Sequence, residues 1–271
     1  MTVAILGVGL IGGSIGKGLM HCNYSERILG LDTCAETLSR AIETKCIHDA
    51  LDIRNHAKEV DLWVLAADPK GILSWLERLP SLVSESAVVT DVCGVKQAIC
   101  GVIPTSLAEQ FVGGHPVAGK QRGGIENADG TLFEGAAWVI CPEQASAYSV
   151  RKIEQMIYAL DAVPVPMTPA DHDHHLALLS HSPNILANIL WRHGSALPMV
   201  RIAGGSWQDL TRVAGGDPAL WEQVLLHNRE CVADELARLC ADLKACEEAL
   251  RNQDREALHE IFRVARDLDE S

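Results

Sequence analysis

The chain has 271 residues, of which 48% are hydrophobic and 22% are charged. This composition is typical of a folded globular protein and excludes a chain that is mostly disordered. The formal net charge of −13 argues against nucleic acid and membrane surfaces as partners, because anionic polymers and anionic lipids bind basic faces.

Short β-rich runs alternate with amphipathic stretches through the first 167 residues, a pattern typical of a mostly parallel sheet covered by helices on both faces. The predicted strands are 3–6, 28–32, 61–66, 87–91, 111–113, 136–141 and 162–167. The predicted helices between them are 10–21, 35–44, 69–79, 96–102 and 145–160.

From residue 168 onward the sequence predicts helices alone. Thr168 followed by Pro169 is a cap-plus-proline helix start, and Pro183 predicts a kink in the helix that follows. A second start of the same kind, Asp217-Pro218, comes after a glycine-rich break. The helices predicted beyond that start are 219–249 and 254–268.

The strongest local motif is Gly7-Val8-Gly9-Leu10-Ile11-Gly12, which follows the first strand and opens a helix. Glycines at this spacing permit a tight turn, a close approach of pyrophosphate to the backbone, and close packing of helix on strand. The amide groups at the helix N-terminus then bind the phosphates. The motif therefore predicts a dinucleotide site.

Asp32 ends the second predicted strand, 20 residues after Gly12. A carboxylate there accepts hydrogen bonds from the ribose hydroxyls and repels a 2′-phosphate, which favours NAD over NADP. The predicted cofactor-binding set consists of the glycine-rich motif together with Asp32, Ala66, Ala67 and Cys93.

These patterns predict the fold class and the domains. The predicted class is α/β, with a Rossmann-type, mostly parallel sheet followed by an all-α domain. We place the boundary near residue 166, so that residues 1–166 bind NAD and residues 167–271 form the helical substrate and dimerisation domain.

A second motif, Gly113-Gly114-His115-Pro116-Val117-Ala118-Gly119, lies at the end of a predicted strand. Ligands of open α/β sheets bind beyond the carboxyl ends of the strands. A histidine held there by glycines and a proline can act as a general base near neutral pH. The spacing alone equally allows a structural histidine bonded to the backbone.

Polar residues also follow one face of the helix predicted after Thr168, at Asp173, Ser180, His181 and Asn184. This face is a solvated surface, a metal site or the wall of a substrate cleft. No HExxH spacing or further ligand set occurs, so we predict no metal. Farther along, Arg212 offers a planar fork suited to a carboxylate, although a lone arginine is more often part of a surface ion pair.

The nine cysteines are an odd number and show no CxxC or other ligand spacing. Scattered thiols of this kind are typical of a reducing compartment. We therefore predict a cytoplasmic protein with free cysteines.

Taken together, these motifs resemble the prephenate/arogenate dehydrogenase family of tyrosine biosynthesis, in the family's order and over nearly the whole chain. The segments that carry the resemblance are 7–12, Asp91-Val92-Cys93-Gly94-Val95-Lys96, 113–119, His172-Asp173 with Ser180-His181-Ser182-Pro183-Asn184, and Asp209-Leu210-Thr211-Arg212-Val213-Ala214 followed by Asp217-Pro218-Ala219-Leu220-Trp221.

The resemblance implies an NAD-dependent oxidative decarboxylation of prephenate, a cyclohexadienyl dicarboxylate, to 4-hydroxyphenylpyruvate. It implies a homodimer formed through the helical domain. By the same resemblance, His115 is the catalytic histidine and Arg212 binds a substrate carboxylate, while Asp173 and His181 line or orient the cleft.

Three departures from the family pattern surround the expected substrate. Gly94 replaces a serine whose hydroxyl assists the catalytic histidine, and Asn184 replaces a second histidine. Lys120 stands where a small polar or acidic residue is common, and it adds positive charge near the substrate if it is not simply a solvated loop lysine. Arogenate and an amino-substituted prephenate analogue therefore remain alternative substrates.

Two other functions remain open at the level of sequence. β-Hydroxyacid dehydrogenases and imine reductases share the same build, but the former depend on a helical-domain lysine, and Lys244 is the only lysine after residue 152. An NAD-binding redox sensor without turnover would explain Gly94, yet it would have no use for His115, Asp173 and Arg212.

Overall fold

The architecture comes from a computed structural model that describes residues 1–120, 122–197 and 202–269. Its strands form one sheet in the order β3-β2-β1-β4-β5-β6-β7-β8. Neighbouring strands are parallel except for β6 and β7, which are antiparallel, so the predicted mostly parallel α/β sheet is confirmed. The strands are β1 (Thr2–Leu6), β2 (Arg27–Leu31), β3 (Asp49–Ala50), β4 (Leu62–Leu65), β5 (Val88–Asp91), β6 (Phe111–Pro116), β7 (Ala137–Cys141) and β8 (Val163–Pro166).

Helices cover the sheet and make up the whole of the described chain after β8. They are α1 (Leu10–His21), α2 (Ala35–Glu43), α3 (Ile53–His56), α4 (Pro69–Arg78), α5 (Gln97–Cys100), α6 (Ala147–Ala159), α7 (Pro169–Leu176), α8 (Ser182–Ser195), α9 (Gly205–Thr211), α10 (Pro218–His227), α11 (Arg229–Arg251) and α12 (Arg255–Asp269). In the part of the chain that the structure describes, none of these helices has the length and apolarity needed to cross a membrane.

The apolar core lies on both faces of the sheet, as a parallel sheet requires. Alternate residues of β1 point to opposite sides, with Val3 and Ile5 in one buried cluster and Ala4 and Leu6 in the other. Strands β1 and β4 therefore read as nearly continuous apolar runs, because both of their faces are buried.

The order of the strands reverses at β1, because the chain passes from β1 to β2 and β3 on one side and then returns to β4 on the other. Ligands of open α/β sheets bind at such a reversal, beyond the carboxyl ends of the strands. The glycine-rich motif lies there, between β1 and α1.

Strand β6 is longer than the sequence predicts, and the reason is a tertiary contact. The prediction ended the strand at Gly113, but antiparallel pairing with β7 extends it to Pro116. His115 is paired opposite Val139 in this ladder. The histidine therefore stands on a rigid strand and not in the loop that follows.

The helical region departs from its prediction in three places, of which one is α9 (Gly205–Thr211), a short helix that the sequence does not predict. The five residues Ala177–His181 form a π-helical turn, and Pro183 occupies the first turn of α8. The prediction of one helix over 219–249 is wrong, because Asn228 separates α10 from α11 with φ −117° and ψ 29°. The side chain of Asn228 is buried and bonds other helices, a contact that sequence periodicity does not reveal.

Candidate active site

The glycine-rich loop has the close backbone contacts that a dinucleotide cradle requires. Gly7 has φ +96°, and a Cβ on it would lie 2.5 Å from the carbonyl oxygen of Ala66. A Cβ on Gly12 would lie 1.9 Å from the carbonyl oxygen of Gly7. Nothing lies within 4 Å of a Cβ built on Gly9, which leaves that point of the loop open to a phosphate. The loop therefore fits NAD.

The carboxylate of Asp32 lies against this loop, just beyond β2. One oxygen accepts a 3.0 Å hydrogen bond from the backbone amide of Val8, and the other accepts a 2.9 Å bond from the amide of Cys34. These two bonds fix an acidic group beside the start of α1. Leu10 and Ile11, at that helix start, are partly exposed.

Two histidines and an aspartate form a hydrogen-bonded chain between β6 and α7. Nδ1 of His115 lies 2.8 Å from Nε2 of His172, and Nδ1 of His172 lies 2.7 Å from Oδ1 of Asp173. His172 and Asp173 are fully buried, whereas His115 is partly exposed. An ionised carboxylate only accepts hydrogen bonds, so Nδ1 of His172 carries a proton.

Backbone amides at the start of α5 complete the bonding of Asp173. The amide of Lys96 donates to Oδ1 at 2.7 Å, and the amide of Gln97 donates to Oδ2 at 2.9 Å. Asp173 therefore ties α7 to α5, behind His115. With this geometry, Asp173 orients the site rather than lining it.

A buried ion pair lies beneath the same segment. The ammonium of Lys96 bonds Asp91 and also donates to the carbonyl oxygen of Gly114 at 2.7 Å. The carboxylate of Asp91 also accepts from the amides of Cys93 and Gly114, at 2.9 and 3.0 Å. Burial by itself would lower the pKa of Lys96, but the adjacent Asp91 outweighs it and the pKa is raised. Lys96 therefore stays charged.

His181 bonds the backbone of Gly94 and is only 2% exposed. Asn228 donates from Nδ2 to the carbonyl oxygen of Asp173 at 2.7 Å, and the same nitrogen lies 3.2 Å from Nδ1 of His181. Nδ1 of His181 is therefore the acceptor, and its ring stands edge-on to Trp221. Burial lowers the pKa of His181 to about 4, so the ring is neutral at neutral pH.

Burial is the main reason that the pKa of His115 lies well below its ordinary value, and unfavourable electrostatic interactions with His172, Lys96 and His181 act in the same direction. The ring is therefore neutral at neutral pH. A neutral imidazole with one nitrogen engaged keeps a second nitrogen for proton transfer.

Gly94 faces that second nitrogen. A Cβ built on Gly94 would lie 3.7 Å from Nε2 of His115, which is ordinary van der Waals contact. The space for a serine therefore exists, although the chain places no side chain there. The neighbouring thiol of Cys93 is buried, and burial raises its pKa to about 12, so it is not ionised.

Arg212 lines a cleft of about 680 Å³ that also contains Arg122. Trp191 and Trp207 stack on each other in the same cleft, with ring centroids 6.4 Å apart. The structure thus gathers Gly94, the three histidines and Asp173 in one cluster, and Arg212 lines this cleft.

Asn184 and Lys120 bond their own surroundings. Asn184 donates to the carbonyl oxygen of Val213 at 3.1 Å, which anchors the segment next to Arg212. Lys120 forms a 2.9 Å ion pair with Asp129 in its own loop. Their assignment as substrate-binding residues stays a prediction.

Sequence reasoning missed three residues of the histidine cluster: Lys96, His172 and Asn228. His172 was visible as the neighbour of Asp173, but nothing in the spacing shows that it contacts His115, 57 positions earlier. Lys96 stands five residues after Asp91, at the end of the segment 91–96 that carries part of the family resemblance. Its place in that segment was the available signal. Asn228 gave no signal, because it lies inside an apparently continuous helical pattern.

Comparisons with known proteins show the family to which this chain belongs. The family described as prephenate dehydrogenase, nucleotide-binding domain, matches residues 15–165, and the prephenate dehydrogenase dimerization domain matches residues 168–264. The prephenate dehydrogenase of Bacillus subtilis (strain 168) is 32% identical over 278 residues, covering 98% of this chain and 74% of its own.

Two solved structures are also similar over the whole chain. A prephenate dehydrogenase from A. aeolicus, in complex with hydroxyphenyl propionate and NAD+, has a TM-score of 0.90 and 26% identity, with 100% of this chain and 98% of that chain covered. The arogenate dehydrogenase of Synechocystis has a TM-score of 0.82 and 26% identity, with 100% and 99% covered. With both halves matched in order, this chain is a member of the prephenate dehydrogenase family of oxidoreductases.

Proposed function

We propose that this protein catalyses the NAD-dependent oxidative decarboxylation of prephenate, which yields 4-hydroxyphenylpyruvate, carbon dioxide and NADH. When bound, NAD+ supplies the hydride acceptor for this oxidation. The observation that carries the proposal is the geometry of His115: one ring nitrogen is engaged by His172, and the other faces the space at Gly94.

His115 acts as the general base in this proposal. Its Nε2 takes the proton of the ring hydroxyl as hydride leaves the same carbon. The ring then loses its carboxylate as carbon dioxide and becomes an aromatic phenolate. The balanced reaction releases no proton, so His115 returns the proton to the phenolate oxygen.

Arg212 binds a substrate carboxylate in this proposal. A guanidinium forms paired hydrogen bonds with a carboxylate, and such charge-assisted bonds are stronger than neutral ones. Asn184 supports this role by anchoring the backbone at Val213. A second arginine, Arg122, in the same cleft adds positive charge where a dicarboxylate would enter.

The cofactor in this proposal binds at the carboxyl ends of β1, β2 and β4. The glycine-rich loop holds the pyrophosphate, Asp32 faces the ribose, and Ala66, Ala67 and Cys93 lie at the ends of neighbouring strands. An acidic Asp32 favours NAD over NADP.

Spectrophotometric turnover with prephenate and with arogenate, each with NAD and with NADP, tests the function. We expect NADH to form with prephenate and NAD. Activity on arogenate alone would keep the chemistry and change the substrate, an outcome that the similarity to the Synechocystis enzyme supports. Absence of turnover in all four mixtures, with NAD binding intact, would overturn the proposal in favour of an amino-ring substrate or a redox sensor.

The catalytic role of His115 needs its own control. The His115→Asn variant should bind NAD with unchanged affinity and lose turnover by about 10²–10⁴-fold, the usual contribution of a general base. His174→Gln is the matched control, because His174 lies on α7 and is exposed. Turnover by His115→Asn at the wild-type rate would remove His115 from the chemistry.

We further propose a homodimer formed through the helical region. The family model matched there is described as a dimerization domain, and large apolar side chains are exposed on these helices, including Trp191 at 52% and Leu243 at 62%. Light scattering coupled to gel filtration should give twice the 29.3 kDa mass of the chain. A monomer at micromolar concentration would contradict this proposal.

Two further proposals concern the placement of the chain in the cell and its division into domains. We propose a cytoplasmic location, which the nine free cysteines and the biosynthetic role of the relatives support. We also propose a domain boundary near residue 166, which the end of β8 at Pro166 and the start of α7 at Pro169 support.

A further inference from the structure

We propose that His172 is a positioning residue: together with Asp173 it fixes the tautomer of His115, so that the Nε2 lone pair faces the reacting hydroxyl. The inference rests on the proposed role of His115 as the base. It assigns a role to a fully buried histidine that the reaction does not contact directly.

The carboxylate sets the direction of the hydrogen bond from His172. Asp173 accepts from two backbone amides and from Nδ1 of His172, so Nδ1 of His172 is protonated. Nε2 of His172 lies 2.8 Å from Nδ1 of His115, so one of these two nitrogens donates to the other. In this proposal Nε2 of His172 is the acceptor, so that His115 carries its proton on Nδ1 and its Nε2 is free to accept one.

The hydrogen-bonded chain of His115, His172 and Asp173 is also rigid, because backbone groups hold both of its ends. His115 stands in the β6 ladder opposite Val139. Asp173 is held by the amides of Lys96 and Gln97, and Asn228 donates to its backbone carbonyl. A ring held in this way rarely adopts the wrong tautomer or orientation. The carboxylate partner of a catalytic histidine holds its ring in the same manner.

Proton transfer along this hydrogen-bonded chain needs no acid or base from outside it. When Nε2 of His115 takes the hydroxyl proton, the Nδ1 proton of His115 can move to Nε2 of His172. The positive charge then lies next to the carboxylate of Asp173. The reverse movement returns both protons when the phenolate is protonated, so the chain ends as it began.

Long-range ¹H–¹⁵N correlation spectra of the full-length protein, labelled with ¹⁵N-histidine, test the tautomers directly. The chain has 11 histidines, and the His115→Asn and His172→Gln variants assign the two signals of interest. We expect both rings to be neutral with the proton on Nδ1 at pH 7. A His115 ring protonated on Nε2, or a doubly protonated His172, would overturn the proposal. This readout does not depend on turnover, so it is separate from the test of function.

Kinetics then test the consequence for catalysis. His172→Phe removes the acceptor and should lower kcat by about 100-fold, within the range of general-base effects, while KM stays within about threefold because His172 is buried. His172→Gln keeps an amide oxygen that can accept from His115, and it should retain kcat within about tenfold of wild type. The exposed His174→Gln is the matched control and should behave as wild type.

Three kinetic outcomes would count against the proposal. Wild-type kcat in His172→Phe would show that His115 needs no partner. Equal losses in the Phe and Gln variants would show that the acceptor itself does not matter. A large change in KM with unchanged kcat would place His172 in substrate binding instead. If His172→Phe does not fold, the Gln variant and the spectra still decide.

Discussion

At the scale of single residues, the most informative position is Gly94. Its neighbour in space is Nε2 of His115, the nitrogen that the proposed reaction uses. The family pattern places a serine hydroxyl here, and this chain leaves the volume unfilled. The chemistry of the base therefore depends more on His172, on the other side of the ring, than the resemblance by itself implies.

Gly94→Ser is expected to be tolerated and to raise kcat by up to about tenfold. Its Cβ would make ordinary contact with His115 at 3.7 Å, and the added hydroxyl lies within hydrogen-bond reach of Nε2. A neutral hydrogen bond contributes about 0.5–1.5 kcal/mol, and 1.4 kcal/mol corresponds to a factor of ten. Steady-state kinetics of Gly94→Ser and Gly94→Ala check this. Equal kcat in the two variants would show that the hydroxyl is irrelevant.

Arg212→Lys should raise the KM for prephenate about tenfold or more and leave kcat less affected. Lysine keeps the charge but loses the planar fork that bonds a carboxylate at two points, and hydrogen bonds to charged groups contribute about 1.5–3 kcal/mol. The same change at the exposed Arg229, which pairs with Glu230, is the control. An unchanged KM would remove Arg212 from the substrate site.

At the scale of secondary-structure elements, the site depends on connections between β5, β6, α5 and α7. Lys96 supplies three of them, since its ammonium bonds Asp91 and Gly114 and its backbone amide bonds Asp173. The segment that carries Gly94 is thereby held between the sheet and the helical region. In this segment only Gln97–Cys100 is helical, where the sequence predicts a helix over 96–102.

Lys96→Met should lower the free energy of unfolding by about 3–5 kcal/mol, because it leaves the buried carboxylate of Asp91 without its cation. Urea unfolding at pH 7 measures the change. The double variant Lys96→Met with Asp91→Asn should recover part of the loss, since it removes the buried charge. A loss below 1 kcal/mol in the single variant would show that backbone amides alone satisfy Asp91.

At the scale of the whole molecule, buried neutral histidines link folding to pH. The pKa of His181 is about 4 in the folded protein, against about 6.5 in an unfolded chain, so the folded state binds fewer protons between these values. Stability is therefore full above pH 6.5 and is lost as the pH falls towards 4. The depressed pKa of His115 acts in the same direction.

His181→Gln should flatten this dependence. Between pH 7 and pH 5, wild type should lose about 2 kcal/mol more free energy of unfolding than the variant, from linkage between the two pKa values of His181. Urea unfolding of both proteins at the two pH values gives the difference, and the exposed His174→Gln serves as reference. Parallel losses in wild type and His181→Gln would show that His181 does not titrate with folding.

The sequence by itself predicted every long strand of the sheet and the whole cofactor loop, because these features are local. A strand buried on both faces is apolar along its length, and a backbone position with φ near +96° favours glycine. The short elements β3 and α3 were missed, since two and four residues are too few to show periodicity. The roles of His115, Arg212 and Asp173 were predicted from motif and resemblance, without their contacts, and they stay predictions.

What only the tertiary structure decided is which side chains meet. The antiparallel β7 places His115 on a strand, Asn228 divides a predicted helix, and His172 reaches across 57 positions to the ring of His115. These contacts join residues far apart in the chain, and a hydrogen bond between such residues leaves no period in the sequence. Local patterns therefore predicted the fold and the cofactor, whereas long-range packing decides which groups surround His115.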